Sequence, residues 1–150
     1  MAEAPAPATA AAPQPLRPQS FLAFDFGTRR TGVASGSTVL RQASPLKTLA
    51  LEGDARFAAI AKLIAEWRPD ALVVGVPYHP DGAAHDNTRR AQRFARQLHG
   101  RFRLPVHEVD ERYTTTEAHA LGAADADAAA AALILDQFLQ HLPPPAPPAP

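Results

Sequence analysis

Three carboxylates far apart in the chain, Asp25, Glu111 and Asp127, stand at the ends of apolar strands or at the start of a helix. Acids that converge at such element ends offer hard oxygen ligands to a divalent cation, magnesium or manganese, of the kind used in phosphodiester hydrolysis. That reaction needs an activated water, neutralisation of charge on the transition state and stabilisation of the leaving oxygen. Two ions about 4 Å apart supply all three. Asp25 lies in Phe24-Asp25-Phe26-Gly27-Thr28-Arg29-Arg30-Thr31-Gly32-Val33-Ala34, an apolar strand carrying one acid before it breaks at glycine. An unpaired charge inside a run of aromatics is costly, which favours a function for it. Each acid also has a plainer explanation. Asp before Gly opens turns, Glu111 can pair with Arg112, and Asp125 and Asp127 are both good N-caps, a role worth roughly 1 kcal/mol.

The elements that must position these acids follow from periodicity. Ser20 to Phe26 and Thr31 to Ser35 form a predicted hairpin around the Gly27 turn, and Ala43 to Leu49 is a weaker third strand. Over 54–67, Phe57, Ile60, Ala61, Ile64 and Trp67 recur at helical spacing, with Asp54 as N-cap and Pro69 beyond the end. Ala71 to Val76 is a continuous apolar run, as expected of a central strand covered on both faces. Asp86 or Asn87 caps a second helix that buries Ala91, Phe94, Ala95 and Leu98 and displays Arg89, Arg93 and Arg96. Pro105 to Val109 is a short strand, and Thr114 with Glu117 fits a capping box. Asp127 to Leu142 is an Ala-rich helix burying Ala131, Ile134, Leu135, Phe138 and Leu142. Hairpins followed by alternating strands and helices predict a mixed α/β sheet with an antiparallel edge.

Composition sets the outer bounds. Eleven of the sixteen prolines lie outside residues 20–142, so residues 1–19 and 143–150 are expected to be disordered Ala/Pro-rich tails around one domain of about 123 residues. The N-terminal segment lacks a cationic start and an apolar stretch, and no segment approaches the ~20 apolar residues of a membrane span, so a cytoplasmic protein without a membrane partner is expected. The absence of cysteine rules out disulfides and thiolate zinc sites. Fifteen basic and fifteen acidic residues cancel, but they are segregated. Six arginines and no acid occupy 89–103, whereas 108–127 holds six acids against Arg112. A basic stripe beside an acidic pocket suits a metal-dependent nuclease, although by itself an arginine face is as readily explained as a solvated one.

The Phe24–Ala34 block resembles the YqgF/RuvX family, as do Val73-Val74-Gly75-Val76-Pro77 with Asp81-Gly82, Asp110-Glu111-Arg112-Tyr113-Thr114-Thr115 with Glu117-Ala118, and Asp127 heading a helix through Leu133-Ile134-Leu135. That family has a ribonuclease H-like fold, with helices on both faces of a mixed sheet, and is associated with 5′ processing of pre-16S ribosomal RNA and with Holliday-junction resolvases. The resemblance implies Asp25, Glu111 and Asp127 as magnesium- or manganese-binding catalytic acids, with Thr28, Arg29 and Arg112 beside them. It further implies pre-rRNA or branched DNA as substrate, and ribosomal particles as partners. In this chain His79 stands where the family often has asparagine, and only seven residues separate Glu117 from Asp125, where relatives usually carry a longer basic insertion. The shortened loop leaves the third ligand open between Asp125 and Asp127. His79 and His85, flanking the loop after the central strand, are candidates for proton transfer.

Two other classes fit part of the pattern. Asp25-Phe26-Gly27-Thr28 also resembles the first phosphate loop of actin-like and sugar-kinase-like phosphotransferases, but about 123 residues leave no space for their second domain. A non-catalytic nucleic-acid or ribosome-binding module could retain the acids as caps.

Overall fold

The structure, a computed structural model, describes residues 18–113 and 125–142. Strands β1 (Ser20–Phe26), β2 (Thr31–Ser37) and β3 (Gln42–Leu49) are followed by helix α1 (Gly53–Trp67), β4 (Ala71–Val76), α2 (Asp86–Phe102), β5 (Val106–Asp110), a 3₁₀ turn at Glu111–Tyr113 and α3 (Ala126–Gln140). The sheet order is β3-β2-β1-β4-β5. The first three strands pair antiparallel, and β1, β4 and β5 run parallel. The sheet is therefore mixed, with the hairpin edge that the sequence predicts. The two expected tails and the Thr114/Glu117 capping box fall almost wholly outside the described residues.

Strand alternation divides the core into two layers. Leu22 and Phe24 of β1 with Leu72, Val74 and Val76 of β4 meet Phe57, Ile60, Phe94 and Leu98 of α1 and α2. The opposite parity, Phe21, Ala23, Ala71 and Val73, meets Ile134, Leu135 and Leu139 of α3. All six residues of β4 are buried, as a strand covered on both faces requires.

Small residues let α3 come close. On the α3 side β2 presents Gly32, Ala34 and Gly36, and Ala34 packs with Ala131 and Ala132. A Cβ at Gly36 would lie 2.9 Å from Leu135 Cδ2, and one at Gly32 would lie 1.8 Å from the Asp127 carbonyl oxygen. At its far end α3 is tied down by Arg41, which donates to the Leu139 and Leu142 carbonyls at 2.8 and 3.3 Å. Asp136 accepts from the Ala43 amide at 2.8 Å.

Helix boundaries differ from the sequence expectation in instructive ways. The N-cap of α1 is Glu52 rather than Asp54, which sits in the first turn. Its buried seam runs through Arg56, Phe57, Ile60 and Leu63, leaving Ala61 and Trp67 exposed, because the helix is rolled toward β3 and α2. The cap of α2 is neither Asp86 nor Asn87 but His85, whose ring accepts from the Asn87 amide while Thr88 Oγ1 accepts from the His85 amide. Thr88 is fully buried and also donates to the Pro77 carbonyl, which fixes the loop leaving β4 to the helix start. Asp125, not Asp127, caps α3, accepting from the Ala128 amide and from Thr48 Oγ1. Leu139 joins the buried face of α3, while Phe138 and Leu142 only flank it.

Because the approach of α3 depends on a missing Cβ, Gly32→Ala should destabilise the domain by about 2–3 kcal/mol or more, with the displacement concentrated at residues 125–128. Chemical denaturation together with amide shifts across α3 would check this, with Gly100→Ala as control, since nothing lies within 4 Å of a Cβ there.

Candidate active site

Asp25 has the parity of Phe21 and Ala23, so its side chain leaves the α1/α2 core and turns toward α3. The flanking aromatics, Phe24 and Phe26, belong to the other face, where they pack around Phe94. What surrounds Asp25 is space. Its cross-strand partners on the two sides are Gly32 and Gly75. A Cβ at Gly75 would fall 2.6 Å from Glu111 Oε1 and 2.3 Å from Ile134 Cδ1. Glu111, carried by the turn directly after β5, fills that vacated volume. Asp127 lies across Gly32 in the first turn of α3. Glycine in a strand marks such a close approach.

The Asp25 and Glu111 side chains are in contact. Burial first, then a hydrogen bond with Asp25, then the negative charges of Asp25 and Asp110 push the Glu111 carboxyl up from 4.5 to about 8. Two carboxylates crowded in a half-buried site resist simultaneous ionisation, and one proton or a cation relieves them. Asp127 is engaged differently, with its Oδ2 lying 2.9 Å from Arg30 Nη2. Among the described residues no three metal-ligating side chains are grouped closely enough to hold an ion in this arrangement. Carboxyl oxygens are the kind of donor that suits a hard divalent cation, with Asp25 and Glu111 in contact and Asp127 paired to Arg30.

Around these acids Arg112 grips Asp110, with Nε and Nη2 donating at 2.7 to 3.1 Å, and this holds the Asp110 carboxyl below the usual range. Arg112 also lies over the Tyr78 ring and donates to the Pro80 carbonyl, so it joins β5 to the loop after β4. Thr28 and Arg29 are exposed on the Gly27–Arg30 turn. His79 meets His85 edge-on at 4.6 Å, and the Nδ1 of His85 is already committed to the helix cap.

Arg89, Arg93 and Arg96 are not part of this cluster. They are exposed on α2, which covers the opposite face of the sheet from α3, and Arg89 is paired with Asp86 at 3.3 Å.

Several site-building residues escape a reading of the sequence. Gly32 and Gly75 had a local signal, glycine inside a strand. The buried Arg56 had a weaker one, a charge falling on the helical face of Ile60 and Leu63.

The mixed five-stranded sheet with helices on both faces has the ribonuclease H type of fold. RuvC from T. thermophilus, solved in complex with a Holliday junction substrate, shares the fold, with a TM-score of 0.52 at 13% identity over 81% of this chain and 93% of that one. The chain belongs to the RuvX family, whose profile, described as Holliday junction resolvase, matches residues 19–141. A relative from Albidiferax ferrireducens is 68% identical over 124 residues, covering 83% of this chain and 80% of its own. One from Polaromonas sp. is 66% identical over 125 residues, covering 83% and 91%. Both bear the provisional name pre-16S rRNA nuclease. Membership places the chain among hydrolases of phosphodiester bonds.

The Glu111 shift has a measurable consequence without any cation. Its folded value lies above the unfolded one, so its contribution to stability is complete below about 4.5 and is lost as pH rises toward about 8. Melting in chelator should therefore fall by about 5 °C or more from pH 5 to pH 8.5. Glu111→Gln should flatten that slope.

Proposed function

We propose that this chain is a metal-dependent nuclease that processes the 5′ region of pre-16S ribosomal RNA, working in the cytoplasm on ribosomal precursor particles. The observation that carries this reading is the contact of Asp25 with Glu111 in the space left by Gly75, with Asp127 lying across Gly32. Asp25, Glu111 and Asp127 would hold magnesium or manganese. When bound, such a cation neutralises phosphate charge and lowers the pKa of an attacking water.

The chain's own groups account for the rest. Asp25 and Glu111, already in contact, would be two of the ligands, and the ion would relieve their repulsion. Asp127 would be the third, released if an incoming phosphate took over the Arg30 guanidinium. Thr28 and Arg29 on the same turn, with Arg112 beside β5, line the approach of the phosphodiester. Arg89, Arg93 and Arg96, outside the acidic cluster, serve as a more distant phosphate track. Branched DNA is the second reading, favoured by the family description.

Cleavage of a pre-16S 5′ leader and of a four-way junction, side by side with Mg²⁺ or Mn²⁺, separates the two substrates. Asp25→Asn and Asp127→Asn should each lower the rate by about 100-fold or more while the fold is kept. Asp125→Asn should leave cleavage near wild type and cost under about 1 kcal/mol, since asparagine caps as well as aspartate. A harmless Asp127→Asn would transfer the ligand role to Asp125, and wild-type cleavage by Asp25→Asn would end the nuclease reading of this site.

For the arginine track, changing Arg89, Arg93 and Arg96 to glutamine should reduce the slope of log affinity against log salt by about 0.7–0.9 for each phosphate that is no longer neutralised. An unchanged slope would make this a solvated helix face.

A further inference from the structure

Arg56 is 5% exposed, one of the few charged or polar residues in the described core. Burying a guanidinium is expensive, and the cost is normally met by a carboxylate partner. Among the described residues Arg56 has no such contact. Its Nε donates to the Leu51 carbonyl at 2.8 Å, its Nη2 donates to the Thr28 carbonyl at 2.6 Å, and its guanidinium carbon lies 4.9 Å from the centre of the Phe26 ring. Burial lowers its pKa, and the charge of Glu52 works in the opposite direction. Arginine stays protonated under either influence. A methionine would fill much of the same volume without the desolvation cost, so what arginine adds here is a directional, two-point grip on backbone.

That grip falls on the turn that follows Asp25. Gly27 to Arg30 is wound tightly enough that a Cβ on Gly27 would lie 2.4 Å from the Arg30 carbonyl oxygen. The β1–β2 ladder closes at Phe26 and Thr31, so the turn itself has no ladder bonds. One side of the turn continues into Asp25; the other carries Arg30, which reaches across to Asp127 on α3. Arg56 therefore joins α1, on one face of the sheet, to the acids on the other through a single carbonyl.

We propose that Arg56 is a positioning residue for the carboxylate site, clamping the Thr28 carbonyl so that the Gly27–Arg30 turn holds Asp25 and the Arg30–Asp127 pair in register. The proposal rests on the nuclease reading of that site. It is tested with Arg56→Met and Arg56→Lys in the full chain. Backbone amide order parameters at Thr28, Arg29 and Arg30 should fall in Arg56→Met from about 0.85 to below about 0.6, with Val73 and Val74 of β4 much less affected. Mn²⁺ titration by calorimetry should show affinity weakened about five- to tenfold. For cleavage, kcat should fall about tenfold, and KM for nucleic acid should rise by less than that, because Arg89, Arg93, Arg96 and Arg112 lie off the turn even though Thr28 and Arg29 lie on it. Arg56→Lys keeps the charge but not the fork and should be intermediate. If Arg56→Met does not fold, the lysine variant is read by the same order parameters.

A lowered melting temperature with unchanged order parameters at 28–30 would overturn the proposal, leaving Arg56 as packing alone. If wild type neither binds Mn²⁺ nor cleaves, the nuclease reading fails, while the order parameters at 28–30 still decide whether the clamp exists.

Discussion

The site depends on the absence of two side chains. Asp25 occupies an inner strand, flanked in register by Gly32 and Gly75, and each glycine gives up its volume to a segment that carries another candidate acid. Through the first gap the head of α3 lies directly on the sheet; through the second, Glu111 folds back against Asp25. Any larger residue at either position would push an acid away. The tight packing of protein interiors makes that exclusion unforgiving, since neighbouring backbone cannot relax by ångströms.

The two faces of the sheet consequently have different characters. The α1/α2 side is built from large apolar groups, with Phe94 in contact with both Phe24 and Phe57. The α3 side adds Gly32, Ala34, Gly36, Ala128 and Ala131 to its own cluster of Phe21, Ile134, Leu135 and Leu139, so close approach and burial act together there. The candidate acids lie on this side alone. Arg56 and Arg30 link the two faces through the turn at the end of β1.

How far the sequence discloses this arrangement depends on whether the cause is local. Strand alternation in β1, the apolar run of β4 and the stripe of α2 are properties of neighbouring residues, and they are where the structure puts them. The mixed sheet followed from their order. Caps were less legible, because Asp54, Asp86 and Asp127 each compete with an adjacent residue, and the winner is set by tertiary contacts such as Thr48 on Asp125 or Pro77 on Thr88. Asp25 and Glu111 were found as candidates by type and motif, but the reason offered for Asp25, its aromatic neighbours, is not the operative one: those rings face the other way. The Arg30–Asp127 pair and the Arg56 clamp join residues distant in sequence, and no periodicity encodes them.

The placement of the acids also has a meaning in time. Asp25 lies in the first strand and Asp127 in the last described helix, 102 residues apart by their numbers, 127 less 25. At a synthesis rate of about 5–20 residues per second, roughly 5–20 s separate the making of the two. Throughout that interval β1, β2 and β4 have no α3 to cover them. A nascent chain therefore lacks part of the proposed acid set until almost the whole domain has been translated.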